Sequence, residues 1–351
     1  MASCARRDIV QPGAGGIYHC WQRCVRRAFL LGMDPLTGKC HTHRREWFIQ
    51  RLQLLVGCFA IDVCFDAILS NHFHLILRAN PRLVKRMGDW EVARRWLRVY
   101  PGKRVLDENW IEPTDEQVEA LVANKKKLAD IRGCLANISC FMAALSEYIA
   151  RRGNREDDTD GRFFSGRFQC REISHEAGLL VGGMYVDLNL LRAGEAATPE
   201  SSVFSSVWFR IQARQAASAG SATDPAPDDW LAPLTLQDDH LGDVPCASGS
   251  RASDKGLLSM SLDQYLQLLD WAGRELQAGK RGAIPADLAP ILERLGIEGD
   301  ALLDTLENFP RLFPRFVGRA EQILERAHEV GKRWLHGVRP ARRIFARNEE
   351  S

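Results

Sequence analysis

Two imidazoles stand two positions apart, His72 and His74, in the run Ser70-Asn71-His72-Phe73-His74-Leu75-Ile76-Leu77. Successive side chains of a β-strand point to opposite faces, so His72, His74 and Ile76 share one face while Phe73, Leu75 and Leu77 share the other. Imidazoles so placed are roughly 6.5 Å apart along the strand, and two rings at that spacing can close on one cation. The pattern equally suits a partly buried pair held by hydrogen bonds, and the residues alone leave both readings open.

Such a strand needs neighbours to hold it. Cys58 to Leu69 (CFAIDVCFDAIL) is β-branched and aromatic enough to be one, with Ser70-Asn71 as the turn. Further upstream, Tyr18-His19-Cys20-Trp21-Gln22-Arg23-Cys24 alternates as a strand and runs on into Arg26 and Arg27. Arg23, Arg26 and Arg27 could grip phosphate while Trp21 or Tyr18 stacks on a base, or they could be the charged tips of a solvated edge strand. A second metal set competes in the same region. Cys20, Cys24, Cys40, His41 and His43 have spacings that could bind Zn²⁺, although Cys20 and Cys24 also fit as buried filler.

Helical periodicity is expected over Arg44–Val56, giving the order strand, helix, strand, strand and then helix again. That order predicts an α+β fold with a sheet carrying helices on one face. Residues 80–130 read as a helical insertion, in which Trp90, Val92, Trp96 and Leu97 interleave with Arg94, Arg95 and Arg98. This amphipathic helix either follows a nucleic-acid backbone or packs its tryptophans on the domain. A helix over Leu128–Arg152 carries Glu147, Tyr148, Arg151 and Arg152 at its exposed end, with Asn154 just beyond. The following loop, GRFFSGRFQCREI, interleaves Arg162, Arg167 and Arg171 with Phe163, Phe164 and Phe168, a composition suited to unpaired bases. A further helix from Ser174 leads into YVDLNLLRAG. Residues 213–256, rich in Ala, Ser, Gly, Pro and Asp, read as a flexible linker between residues 1–212 and a small helical domain over 257–351. The basic stretch Arg339 to Arg347 lies near the end.

With 351 residues, 45% of them hydrophobic and 26% charged, the chain can bury a full core and accommodate two domains. The net charge of +2 conceals arginine clusters, which matter more to an anionic partner than the total does. Ten cysteines without a signal-peptide pattern suggest reduced thiols rather than a secreted disulfide framework. No apolar run approaches the ~20 residues of a membrane-spanning helix, so a cytoplasmic location without membrane contact is the expectation.

Taken together, YHCWQRC, NHFHLIL, GRFFSGRFQC and YVDLNLLRAG resemble, in that order, the single-tyrosine HUH transposases of the REP-associated type, over roughly residues 15–210. The resemblance implies a ferredoxin-like antiparallel sheet, a homodimer or a monomer, and metal-dependent nicking and rejoining of single-stranded, hairpin-bearing DNA through a phosphotyrosine. It further implies Mg²⁺ or Mn²⁺ held by His72 and His74, with Asn154 as oxygen ligand or phosphate contact, although Asn154 equally suits a plain helix C-cap. The basic clusters themselves offer Arg23, Arg26, Arg27, Arg151, Arg152, Arg162, Arg167 and Arg171 as DNA contacts. The nucleophile departs from the family pattern. Its position, about five residues before Asn154, is Ile149 here, and Tyr148 is its neighbour. One residue on a helix is a rotation of roughly 100°. Tyr148 is thus either the nucleophile or a helix residue packing its ring, and a DNA-binding protein that has lost catalysis is the alternative function.

Overall fold

The computed structural model describes residues 9–10, 13–102, 112–221, 223–236, 244–278 and 288–345. The fold is α+β. Five strands, β1 (Gly16–Arg23), β2 (Ile61–Ile68), β3 (His72–Ala79), β4 (Gln169–Ile173) and β5 (Phe316–Val317), form one sheet in the order β2-β3-β1-β4-β5. All neighbours run antiparallel except β4 and β5, so the sheet is mixed. The helices among the described residues are α1 (His43–Cys58), α2 (Pro81–Arg86), α3 (Asp89–Val99), α4 (Asp115–Ala123), α5 (Lys125–Cys134), α6 (Ile138–Glu156) and α7 (Glu176–Asp187), followed by α8 (Asn189–Arg192), α9 (Ser206–Ser218), α10 (Leu262–Ala278), α11 (Ala289–Arg294), α12 (Gly299–Leu312), α13 (Ala320–Glu329) and α14 (Val338–Ile344). No single described helix is long and apolar enough to cross a membrane.

Strand alternation sorts the side chains into two cores. Tyr18, Cys20, Phe73, Leu75 and Leu77 point to one face, where Phe48, Leu52 and Leu55 of α1 and Phe141, Leu145 and Ile149 of α6 cover them. Ile76 and Ile173 point to the other face, under Leu180 and Met184 of α7, Leu269 of α10 and Leu306 and Phe309 of α12. Each fully buried side chain of this size contributes roughly 1.5–3 kcal/mol relative to exposure. Helices therefore lie on both faces, not on one. The sheet was expected to need a single covering layer, but β1, β3 and β4 bury apolar residues on both sides, and each side requires its own helices.

Three further expectations change. The predicted helix over Leu128–Arg152 is two helices, α5 and α6, which meet at 89°. Asn137 caps the second by accepting from Ser139 N at 2.8 Å, and a Cys134–Cys140 disulfide spans the break, so the thiols are not all reduced. The stretch read as a linker is partly built into the fold. Trp230, Leu231 and Ala232 are buried, Ala232 N donates to Val63 O on the outer strand β2, and Ser253 donates to the buried Asp62. The C-terminal residues, finally, are not purely helical. β5 extends the sheet beside β4, and α10 and α12 share the core of α7. In the inserted region, α3 buries Val92 and Ala93 in a satellite core, while Arg95 pairs with Glu91, and Arg94 and Arg98 pair with Glu112. Of the basic tail, residues 339–344 lie in α14, and residues 346 and 347 fall outside the described residues.

Candidate metal and nucleic-acid site

β3 enters the sheet at His72, and its ladder with β1 sets Arg23 opposite His72 and Trp21 opposite His74. The two imidazoles lie on the α7 side, with ring centroids 5.1 Å apart and planes at 82°. Each has its Nδ1 engaged. His72 Nδ1 is 2.6 Å from Asn71 Oδ1, and His74 Nδ1 is 2.9 Å from Nε2 of His19, a fully buried residue of β1. Tyr185 of α7 meets His74 and His19 edge-on at 5.7 and 5.8 Å, and Phe309 of α12 lies 4.8 Å behind it. His72 is half-buried and His74 is 5% exposed.

Burial governs the protonation of these rings. It takes His72 from 6.5 to about 4, and the nearby Arg23 guanidinium pushes in the same direction against an opposing pull from Glu195. His74 is held well below its ordinary value by burial, with His19, His72 and the neighbouring arginines adding to it. Both rings are neutral at neutral pH. A neutral imidazole has one N–H and one lone pair, and the carbonyl oxygen at Asn71 assigns the His72 proton to Nδ1. His72 Nε2 is then a free donor to a metal. This donor set fits a divalent cation, because the nitrogens need lose no proton and each ring is braced by an outer partner.

At the same end of the sheet lies a basic rim. Arg23, Arg26 and Arg27 are exposed, as are Arg162 and Arg167, and none of the five makes an ion pair among the described residues. Ser165 N donates to Arg23 O, Val25 N to Phe163 O, and Gln22 Nε2 to Gly166 O at 2.8 Å, so the 162–167 loop is tied alongside the end of β1. Arg26 and Arg27 have φ of 52° and 57°, a left-handed conformation that side-chain-bearing residues adopt at a cost of order 1 kcal/mol or more.

Several predicted residues lie elsewhere. Arg171 is fully buried rather than facing solvent. It donates to Phe313 O at 2.6 Å and Phe309 O at 3.3 Å and stacks on Trp21 at 4.5 Å, which makes it a structural cation and not a DNA contact. Phe163, Phe164 and Phe168 are core residues under α1 and α6, so the loop offers no rings for stacking, and Tyr18 is buried as well. Arg151 pairs with Glu147. Arg152 lies over Trp47 at 4.2 Å and donates to the Tyr148 hydroxyl at 2.9 Å. Tyr148 packs against the core on the α1 side, its ring 4.8 Å from the Arg51 guanidinium. That is the face of Phe73, opposite the face of His74, because α6 directs Phe141, Leu145 and Ile149 at the sheet. Asn154 donates to Gly161 O at 2.9 Å and closes the loop after α6. Among the described residues, no hydrogen bond or ring contact joins Tyr148 or Asn154 to the imidazoles.

The zinc set does not assemble. Cys20 and Cys24 are buried in the α1-side core, whereas Cys40 is exposed beside Thr42. His43 pairs with Glu156 at 2.6 Å. His41 approaches Glu156 and Asp157, but the buried Arg44 guanidinium already neutralises both carboxylates. His19 and Tyr185 are the members of the site that the sequence did not single out. Strand alternation places His19 on the face of Trp21, but only the β1–β3 register shows that His74 shares that face.

No family model matches the sequence, and no curated protein matches it. One solved structure is similar at a distance. It is a REP-associated tyrosine transposase bound to a REP hairpin, 10% identical over 68% of this chain and 96% of that chain, with a TM-score of 0.31.

Proposed function

We propose that this protein binds single-stranded or hairpin DNA at the His72 end of its sheet and holds a divalent cation there, as a transposase-like nuclease and strand transferase. The observation that carries the reading is the convergence, at one sheet end, of two neutral, braced imidazoles and five exposed arginines that make no ion pair among the described residues. The strand order β2-β3-β1-β4 around His72 and His74 supports the ferredoxin-like arrangement that the four sequence motifs imply. His72 and His74 would hold the cation, and phosphate oxygens would complete its shell. Mn²⁺ suits nitrogen donors better than Mg²⁺, which favours oxygen. When bound, such a cation polarises a phosphate oxygen as a Lewis acid. Arg23, Arg26, Arg27, Arg162 and Arg167 would neutralise the strand and fix its register. A tyrosine attack would form a tyrosyl O–P bond as the nucleotide P–O bond breaks, keeping the ester's energy for rejoining.

The position of Tyr148 favours a second reading, in which the strand is gripped but not cut. Incubation with a labelled hairpin oligonucleotide and Mn²⁺ separates the two. A covalent protein–DNA adduct supports the first, and Tyr148→Phe then tests that residue as nucleophile. Binding without an adduct supports the second. Under both readings the logarithm of affinity for single-stranded DNA falls with that of salt at a slope of about −3.5, for five neutralised phosphates at roughly 0.7 each. A flat salt response would refute the arginine rim.

A further inference from the structure

We infer that His19 is a positioning residue for His74, its Nε2 accepting the Nδ1–H of His74 so that His74 Nε2 is kept as a lone pair for a cation. The inference rests on the reading that His72 and His74 hold that cation, and it adds a residue that the sequence motifs did not assign to the site. The geometry is specific. His19 and His74 are diagonal neighbours across the β1–β3 ladder, with ring centroids 5.0 Å apart and a nitrogen–nitrogen distance of 2.9 Å. His19 is fully buried and boxed in by Trp21 at 5.3 Å, Tyr185 at 5.8 Å and Phe309 at 6.2 Å, so its ring cannot swing away.

The proton between the two nitrogens can belong to either ring. If it belongs to His19, the single N–H of a neutral His74 moves to Nε2, and that nitrogen has no lone pair for a metal. If it belongs to His74 Nδ1, Nε2 is free and matches His72, whose Nδ1–H is taken by Asn71. Cation binding therefore selects the second tautomer of the pair. The remaining nitrogen of His19, Nδ1, has no hydrogen-bond partner among the described residues. With Nε2 spent on His74 and Nδ1 unsupported, His19 is not a third ligand. Its part is that of the outer acceptor that commonly orients a metal-bound imidazole, here supplied by a histidine instead of a carboxylate or carbonyl.

Two measurements on the full chain test this. In Mg²⁺-loaded protein, the ring-nitrogen NMR shifts of His74 should report an Nδ1–H tautomer, and an Nε2–H tautomer would overturn the inference. Mn²⁺ binding followed by electron paramagnetic resonance should weaken roughly 10- to 100-fold in His19→Leu, which removes the acceptor, and recover most of that loss in His19→Gln, which restores one. Equal Mn²⁺ affinity in wild type and His19→Leu would refute the positioning role alone. Equal affinity in wild type and His72→Gln, or no binding by wild type, would refute the cation site on which it depends. Far-UV circular dichroism and the melting temperature of His19→Leu and His19→Gln identify a variant that has merely unfolded.

Discussion

Asp66 on β2 is fully buried, and neither of its carboxylate oxygens has a hydrogen-bond partner among the described residues. Burial, reinforced by the nearby Asp187 and only partly offset by Arg210, holds its carboxyl well above the ordinary range, so it keeps its proton when folded. The unfolded chain releases that proton near pH 3.8. Between that pH and the folded value the native state binds more protons, and this group's contribution to stability falls as pH rises. Asp66→Asn removes the titration. Its advantage in urea midpoint over wild type should therefore grow from pH 5 to pH 8, and a constant difference across that range would show that Asp66 is ionised in the folded state. His72 has the opposite sense. Its pKa is lowered to about 4, so its contribution is complete above pH 6.5 and is lost as pH falls towards 4. The imidazole pair itself was readable from the sequence, because an alternating strand reports its own faces. The tyrosine was not, since facing depends on which side of the sheet α6 chooses, and nothing within the helix specifies that.

At the scale of elements, α7 lies close against the sheet because glycine permits it. A Cβ at Gly183 would stand 2.6 Å from the Phe65 ring on β2, and one at Gly182 would be 3.2 Å from Ile173. Gly183→Ala must push α7 outward or turn Phe65 out of its rotamer, at a cost of roughly 1–3 kcal/mol. Because α7 also presents Tyr185 to the imidazoles, the same variant should loosen the site, seen as line broadening of the His19 and His74 ring resonances. An unchanged melting temperature would refute the tight contact. The order strand, helix, strand, strand was legible from the switch between periods of two and 3.6. The break between α5 and α6 was not, because Leu135 and Ile138 sustain the helical spacing across it and only Asn137 hints at a cap. The loop at 161–168 misled for a related reason. Phenylalanine interleaved with arginine looks the same whether the rings face water or the core, and here Phe163 seats against Gly153, where a Cβ would come within 2.4 Å of it.

At the scale of the molecule, residues beyond 256 read as a separate domain because a run of amphipathic helices gives no sign of what it covers. They cover the His74 side of the sheet: Tyr265 of α10 donates to the buried Asp187 at 2.6 Å, and Arg171 is bonded to the end of α12. A fragment ending at residue 256 would lose that layer and expose Tyr185 and Ile76 to water. We expect it to bind a hydrophobic dye and to be cleaved within α7 under limited proteolysis. A fragment that melts cooperatively and resists protease would instead establish two independent domains.

The two-residue strand β5 has a consequence for how the protein folds. β4 is an open edge until Phe316 and Val317 reach it, and 142 residues, 174 to 315, separate the two strands. A contact of such high sequence separation is slow to close, and an unpaired strand edge invites pairing with another chain. Closing that edge is therefore a late step in folding, and until it closes β4 offers unpaired backbone groups to any other chain.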